Sequence, residues 1–465
     1  MSIHLEPGTV VESPAASLPV LANLLRGRLA THTDADWDAA RTAWNLAVDQ
    51  RPAAVAFPVD AADVAVVLAF AAAHGLRVAP QSGGHNPGPL GDLSRTILLR
   101  TTEMRRIAVD VANRSVRVGA GVLWGEVTAA LAPHGLVALS GSSPDVGVSG
   151  YTLNGGYSWL GRRHGLAANQ VRSAEVVTGD ARVLRVDAGT EPDLFWAVRG
   201  GGGNGLVVTE LEFGVLPLDT VYAGSLLFGI DRAAEICAAF ADWTLDLDES
   251  ATVCLRLLHL PPLPELPEFL RGKAFVGVDG AIDADPERAA ALLAPIRDLG
   301  PAVDTFGPMP AAELGTIHMD PPVPVPAAGH GFILDELGPE TIDALLSVAG
   351  PQARTALLAV DLRLLGGALG RRVDGGGVVD HLPGRYLAFA VGITPVPPAK
   401  EAVERDLRAL TSALAPWTNA RSYANFDESA GGPDRFHTAE VLQRLRAVVR
   451  HVDPAGVIQP NHPLD

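Results

Sequence analysis

Ala62–Asn86 reads ADVAVVLAFAAAHGLRVAPQSGGHN. Residues 62 to 73 carry apolar side chains at helical spacing, Gly75 supplies the stop that a left-handed C-terminal residue provides, and RVAPQS is an extended run. The stretch predicts a helix feeding a strand that ends in a glycine turn, with His85 in that turn. Working outward, TILLR (96–100), RIAVD (106–110) and SVRVGAG (115–121) are short β-rich runs, the last two joined as a hairpin through Ala112, Asn113 and Arg114. LWGEVTAALAPHG predicts a helix to Gly135, and EVVTG (175–179) with RVLRV (182–186) predicts a second hairpin through Asp180.

The texture changes after LVVTELEFGVLPL, near Pro217. From 221 to about 420, strand candidates (VYAGSLLFGI, ATVCLRLL, KAFVGV, ALLAVDLRLL, RYLAFAVGI) alternate with helix candidates beginning near Ala233, Pro286, Pro339 and Pro398. That pattern implies one sheet backed by helices. The Pro-rich stretches Pro261 to Pro267 and MDPPVPVPAAGHG (319–331) are expected to be loops, because proline lacks an N–H for a ladder.

With 465 residues the chain exceeds what one core usually supports, and 49 Gly and 36 Pro are too many turn formers for a helical bundle. The formal charge of −17 and the absence of a Lys/Arg patch argue against nucleic acid or an anionic membrane surface as partner. MSIHLEPGTVVESP lacks a basic segment followed by an apolar one, and no apolar run reaches spanning length, so a soluble, cytoplasmic protein is expected. Cys237 and Cys254 are the two cysteines; their spacing suggests neither a disulfide framework nor a metal site, and they are expected to be buried free thiols.

Glycine is dense in QSGGHN (81–86), DVGVSGYTLNGGYSWLGRRHGL (145–166) and RGGGGNG (199–205), where backbone N–H groups can approach an anion such as a pyrophosphate. Gly200, Gly202 and Gly205 match a G-x-G-x-x-G pattern, but LVVTELEFGV follows as a strand rather than the helix a dinucleotide turn requires. The ordered set SGGHN, VGVSGYTLNGGYSWL, RHGL, DLFWAVRGGGGN and VVTELEF resembles the FAD-binding domain of the vanillyl-alcohol oxidase superfamily, and within it the berberine-bridge-like and bacterial hydroxynicotine oxidases. The resemblance runs from about Arg51 to Leu216 and resumes at RSYANFDES and LRAVVRHVDPAGVI.

That resemblance implies an α+β fold: a two-part, PCMH-type FAD-binding domain (1–217, completed by a C-terminal segment, 421–465) and a substrate domain of antiparallel sheet backed by helices (218–420). It implies FAD bonded covalently to His85, whose neutral imidazole can add to the flavin's 8α carbon. Gln81, Ser82, Gly83, Gly84 and Asn86 are then expected to cradle the cofactor from one side and Ser142, Ser143, Val146, Gly147, Gly150, Gly155 and Gly156 from the other, with Val208, Tyr423 and Asn425 also in contact. Some relatives carry a second bond from a Cys to flavin C6; Ser143 stands at that position, and a hydroxyl is too poor a nucleophile, so a single attachment is expected. Gln81 replaces the family's usual Arg, and Gly205-Leu206 stands where the family usually has Phe in a GGGGNFG turn.

The family's Y-x-N segment matches Tyr423 and Asn425, which makes Tyr423 the expected base, with Tyr151 and Tyr157 as further candidates. A phenol of reference pKa near 10 needs help from a positive field or a proton relay to act near neutrality. His259, His318, His330, Arg363, His381 and Tyr386 are possible pocket residues of the second half, and Asn461 and His462 of the C-terminus. The expected function is an oxidase that takes a hydride from an alcohol or amine carbon of a small, natural-product-like molecule and reduces O2 to H2O2. The alternatives are a flavin dehydrogenase with another acceptor and a flavin-binding protein promoting a non-redox cyclisation.

Overall fold

The computed structural model describes residues 14–264, 266–429 and 431–465. The helix Ala61–Ala73 is capped by Asp60, whose carboxylate accepts from the N–H groups of Ala62 and Asp63, and the chain leaves it through Gly75 at φ 64°. It buries Val64, Val67, Leu68 and Ala71 against a four-stranded sheet ordered Arg28–Ala30, Ala54–Phe57, Thr96–Arg100, Arg77–Gln81. The last strand delivers the glycine turn. A five-stranded antiparallel sheet follows, ordered Ile107–Asp110, Ser115–Gly119, Leu206–Gly214, Val171–Thr178, Val183–Asp187, and contains both expected hairpins. A helix, Pro192–Val198, precedes the 199–205 glycines and a strand follows them, the reverse of a dinucleotide-binding turn.

The largest sheet is antiparallel and eight-stranded, with Thr220–Gly229, Ala274–Ile282, Ala251–His259, Ala359–Leu364, Tyr386–Ile393 and Ala327–Leu334 adjacent in that order. Helices Ala233–Trp243, Pro286–Arg297, Pro339–Ala349 and Pro397–Leu414 contribute Phe240, Leu293, Leu345 and Leu410 to the core over one face. Strand alternation decides what the other face carries. Leu255 and Leu257, Val360 and Leu362, and Ala388 and Ala390 enter the helix-side core, so Arg256, Asp361, Arg363, Phe389 and Val391 face away from it.

One expectation needs correction. The 319–331 stretch is a loop only to Pro326: once the prolines end, Ala327–Leu334 pairs along its whole length with Tyr386–Ile393. The glycine-rich VSGYTL forms a short helix, Val148–Leu153. The C-terminal segment lies against the first strands: Val78 N donates to the Val457 carbonyl, Gln459 N donates to the Val78 carbonyl, and Asn86 Nδ2 donates to the Asp427 carbonyl.

Candidate active site

A cavity of about 1030 Å³ lies between the glycine turn and the helix-free face of the eight-stranded sheet. Every residue expected to bind the cofactor lines it except Gly155 and Gly156. Those two sit behind the wall: Gly156, at φ 80°, has space for no Cβ, which would meet Tyr151 Cε1 at 2.5 Å, and its N–H points at Tyr423. Gly147 is needed for a different reason. A Cβ there would come within 2.5 Å of Ser82 Oγ and force the two glycine segments apart.

His85 stacks on Trp44 with ring centroids 4.2 Å apart and an interplanar angle of 18°. Its Nε2 donates to the Asp145 carbonyl at 3.3 Å, which fixes the tautomer and leaves Nδ1 with the free lone pair. Burial pushes the imidazole below its ordinary pKa, against the pull of the Asp145 carboxylate, so the ring is neutral and nucleophilic near pH 7. Around the same cavity, Ser82 Oγ, Asn86 Oδ1, Ser149 Oγ and Asn461 Oδ1 are buried without a protein hydrogen-bond partner. Buried polar atoms of this kind require a partner, and a cofactor rich in phosphate and hydroxyl oxygens supplies several. The residues therefore fit FAD.

Three tyrosines reach the cavity with opposite hydrogen-bond polarity. Tyr151 Oη gives its proton to the carbonyls of Leu139 (3.0 Å) and Tyr157 (2.6 Å), and burial raises its pKa well above 10. It is a locked donor, which removes it from the expected bases. Tyr157 Oη reaches the Leu364 carbonyl at 3.4 Å under the Arg363 guanidinium, 5.7 Å from the ring centre. Tyr423 Oη instead accepts from Gly156 N (3.0 Å), Tyr157 N (3.0 Å) and Asn425 Nδ2 (2.9 Å). Burial pushes this phenol up to about 12, and those donors together with Arg363 keep it from rising further.

The sheet wall holds a charged cluster that the sequence reading largely missed. Arg256 is bracketed by Asp361 Oδ1 (3.0 Å) and Asp279 Oδ2 (2.9 Å), and His318 Nδ1 lies 3.0 Å from the same Asp279 oxygen. Burial works against the Asp279 carboxylate, but Arg256 and His318 more than offset it and leave its pKa at about 2. Cys254, His318 and Asp361 approach one another within 4.8 Å, the spacing of a ligand set, yet the guanidiniums of Arg256 and Arg363 already occupy Asp361 and put positive charge where a cation would sit. Both cysteines are buried free thiols. Of the other candidates, His318, Arg363, Asn461 and His462 line the cavity. His259 is bonded to the Ala349 carbonyl, His381 to Asp380, and Tyr386 to Thr244 in the core; His330 stands 3.9 Å from Asp427.

Glu428 also lines the cavity, and sequence reasoning overlooked it. Its Oε2 accepts from Gly329 N at 2.9 Å, while burial and the nearby Asp427 push its carboxyl up to about 7. A carboxyl raised on folding binds its proton more tightly in the native state, so its contribution is full below about pH 4.5 and is lost as pH rises to about 7. Glu428→Gln keeps the acceptor and removes the titration. Differential scanning fluorimetry is expected to show the variant matching the wild type at pH 4.5 and melting higher by on the order of 2 °C at pH 8; equal melting at both pH values would show that the carboxyl is not destabilised by its surroundings.

Residues 52–187 match the FAD binding domain family model. (R)-6-hydroxynicotine oxidase of Paenarthrobacter nicotinovorans is 33% identical over 255 residues, 55% of this chain, and the match spans about half, 52%, of that relative's length. Among solved structures, Physcomitrella patens BBE-like 1 superposes with a TM-score of 0.82 at 18% identity, covering 98% of this chain and 100% of the other. Glucooligosaccharide oxidase from Acremonium strictum, described with a 6-S-cysteinyl, 8α-N1-histidyl FAD, gives 0.80 at 20% identity and covers 98% and 99% of the two chains. No helix among the described residues is long and apolar enough to cross a membrane. A matching cofactor domain, a hydroxynicotine oxidase relative over about half its length and a fold shared end to end with a berberine-bridge-like structure agree: this chain carries an FAD binding domain within the overall fold of the berberine-bridge-like structures.

Proposed function

We propose that the protein is an oxidase that converts an alcohol or amine carbon of a small organic substrate to the carbonyl or imine and passes the electrons to O2, giving H2O2, with FAD held through a single bond to His85. When bound, FAD supplies the two-electron acceptor. The observation that carries the reading is the joining, in one cavity, of the His85 turn to a phenol oxygen that is surrounded by N–H donors. Donors aimed at Tyr423 Oη favour its phenolate and offset part of the rise that burial imposes, which eases the uptake of a substrate proton. Arg363 adds positive field to both Tyr423 and Tyr157. Tyr157 touches Tyr423 Oη through its backbone N–H, while its own hydroxyl is turned to the Leu364 carbonyl. Ser82, Asn86, Ser149 and Asn461, whose buried polar atoms lack a protein partner, would hold the cofactor. The domain division at 217 and 420 follows the same reading.

The test is an anaerobic screen of alcohols and amines for bleaching of the flavin band, followed by admission of air. A substrate that bleaches the band, with stoichiometric H2O2 on reoxidation, is the expected result. Bleaching that air does not reverse, but an added dye does, would make the enzyme a dehydrogenase.

A further inference from the structure

The wall that faces the cofactor turn is unusually poor in polar groups. The Pro-rich segment after Leu258 contributes Leu260, Leu263, Leu266 and Leu270, and the loop from 319 to 326 contributes Met319 and Val323. Leu263, Met319 and Val323 are 50%, 66% and 58% exposed, so the mouth is rimmed by aliphatic side chains standing in water. Met319 is held there at φ 53°, a conformation that costs a non-glycine residue roughly 1 kcal/mol or more and persists only where neighbours over-determine it. The neighbours do: His318 is buried against Asp279, and Asp320 is bonded by Ser143 Oγ at 2.8 Å. Among the described residues that line this wall between 258 and 270, 319 and 327, and 389 and 393, Asp320 is the one with a polar side chain, and Ser143 engages it. A sugar would have to bury its hydroxyls here without partners, at a cost of about 1–3 kcal/mol each.

At the inner end the opposite holds. Arg363 is 6% exposed and lies between the Phe426 ring (4.8 Å) and the Tyr157 ring (5.7 Å). Its carboxylate partner, Asp361 Oδ2, is 3.4 Å away, and its Nε has no partner. Arg256, on the neighbouring strand, takes the shorter bonds to Asp361 and Asp279. A buried guanidinium with unused donors at the end of an apolar channel calls for an oxygen acceptor from a ligand.

We propose that the substrate is an elongated, predominantly aliphatic molecule whose oxygen acceptor, a carboxylate or a ketone, docks on Arg363 while its hydrocarbon body lies along the Leu258–Leu270 wall and leaves through the Met319–Val323 mouth. The proposal rests on the oxidase reading for the flavin but concerns binding alone. It is tested by calorimetric titration of the purified holoprotein with carboxylates and 2-ketones of six to twelve carbons, and with cellobiose. Affinity is expected to rise about fourfold per methylene, and cellobiose is expected not to bind at millimolar concentration. The carboxylate and ketone series identify the head group by which of them binds more tightly.

Arg363→Met is expected to weaken the better series at least tenfold, and Arg363→Lys to restore part of it. Affinity independent of chain length, or cellobiose binding as well as the twelve-carbon probes, overturns the apolar assignment. Unchanged affinity in Arg363→Met overturns the docking residue, and if that variant does not fold, Arg363→Lys binding the probes as the wild type does while the chain-length trend is absent overturns both. A yellow protein that is photoreduced and reoxidised by air but ignores every probe defeats this proposal and leaves the oxidase reading standing. A protein without redox-active flavin defeats the oxidase reading, whatever the calorimetry shows.

Discussion

His85→Ala is expected to abolish covalent flavin: after acid precipitation the wild-type pellet stays yellow, while the variant's pellet is colourless and any flavin is in the supernatant. The arrangement around His85 prepares it for bond formation. Trp44 holds the ring plane by stacking, and the Asp145 carbonyl accepts a hydrogen bond from Nε2–H, so the nucleophilic nitrogen is Nδ1. Burial keeps the ring uncharged. Ser143, the position from which a cysteinyl bond would come, donates its hydroxyl to Asp320 and has no thiolate to offer. Peptide mapping of the wild type should therefore find flavin on the His85 peptide alone, and Ser143→Cys can create a second linkage. Flavin on another wild-type peptide, or flavin still attached in His85→Ala, refutes the assignment.

How much of this could be read from the sequence depends on whether the determinant was local. The helix, strand and turn of Ala62–Asn86 are legible because cap, periodicity and glycine stop lie within one stretch, and both hairpins carry their turn residues between them. The helix starts at Pro286 and Pro339 follow from proline at the first turn. The 319–331 loop is shorter than its prolines suggest, because the five residues after Pro326 are not prolines and pair in the sheet.

The sheet-wall cluster was missed for a non-local reason. Arg256 in ATVCLRLLH and Asp361 with Arg363 in AVDLRL sit in strands otherwise apolar on both faces, which was the available clue, but their partners come from three strands and the loop at His318. Glu428 needed Gly329 and Trp44 needed His85, contacts 99 residues and several elements away or set by the fold of the turn. Nor could spacing distinguish Tyr151 from Tyr423, because the difference is whether the oxygen donates or accepts.

That difference makes Tyr423→Phe the variant with the largest expected effect on chemistry. Removing the phenol oxygen takes away the expected proton acceptor and leaves Gly156 N and Tyr157 N without their bond. The first loss is expected to slow anaerobic flavin reduction by roughly two orders of magnitude or more, with substrate dissociation constants little changed. The second is expected to lower stability by about 1–3 kcal/mol. A purely structural tyrosine would give only the second, so the two are separated by the pH profile. If Tyr423 takes the proton, the wild-type reduction rate rises with pH toward the ionisation of the phenol, and the variant loses that dependence.

Tyr151→Phe supplies the control, because Tyr151 Oη donates to carbonyls and accepts from nothing among the described residues. It should cost stability without moving the rate by more than a few-fold. A Tyr423→Phe enzyme that reduces its flavin at the wild-type rate with an unchanged pH profile would take Tyr423 out of proton transfer and leave Tyr157, under Arg363, to carry it.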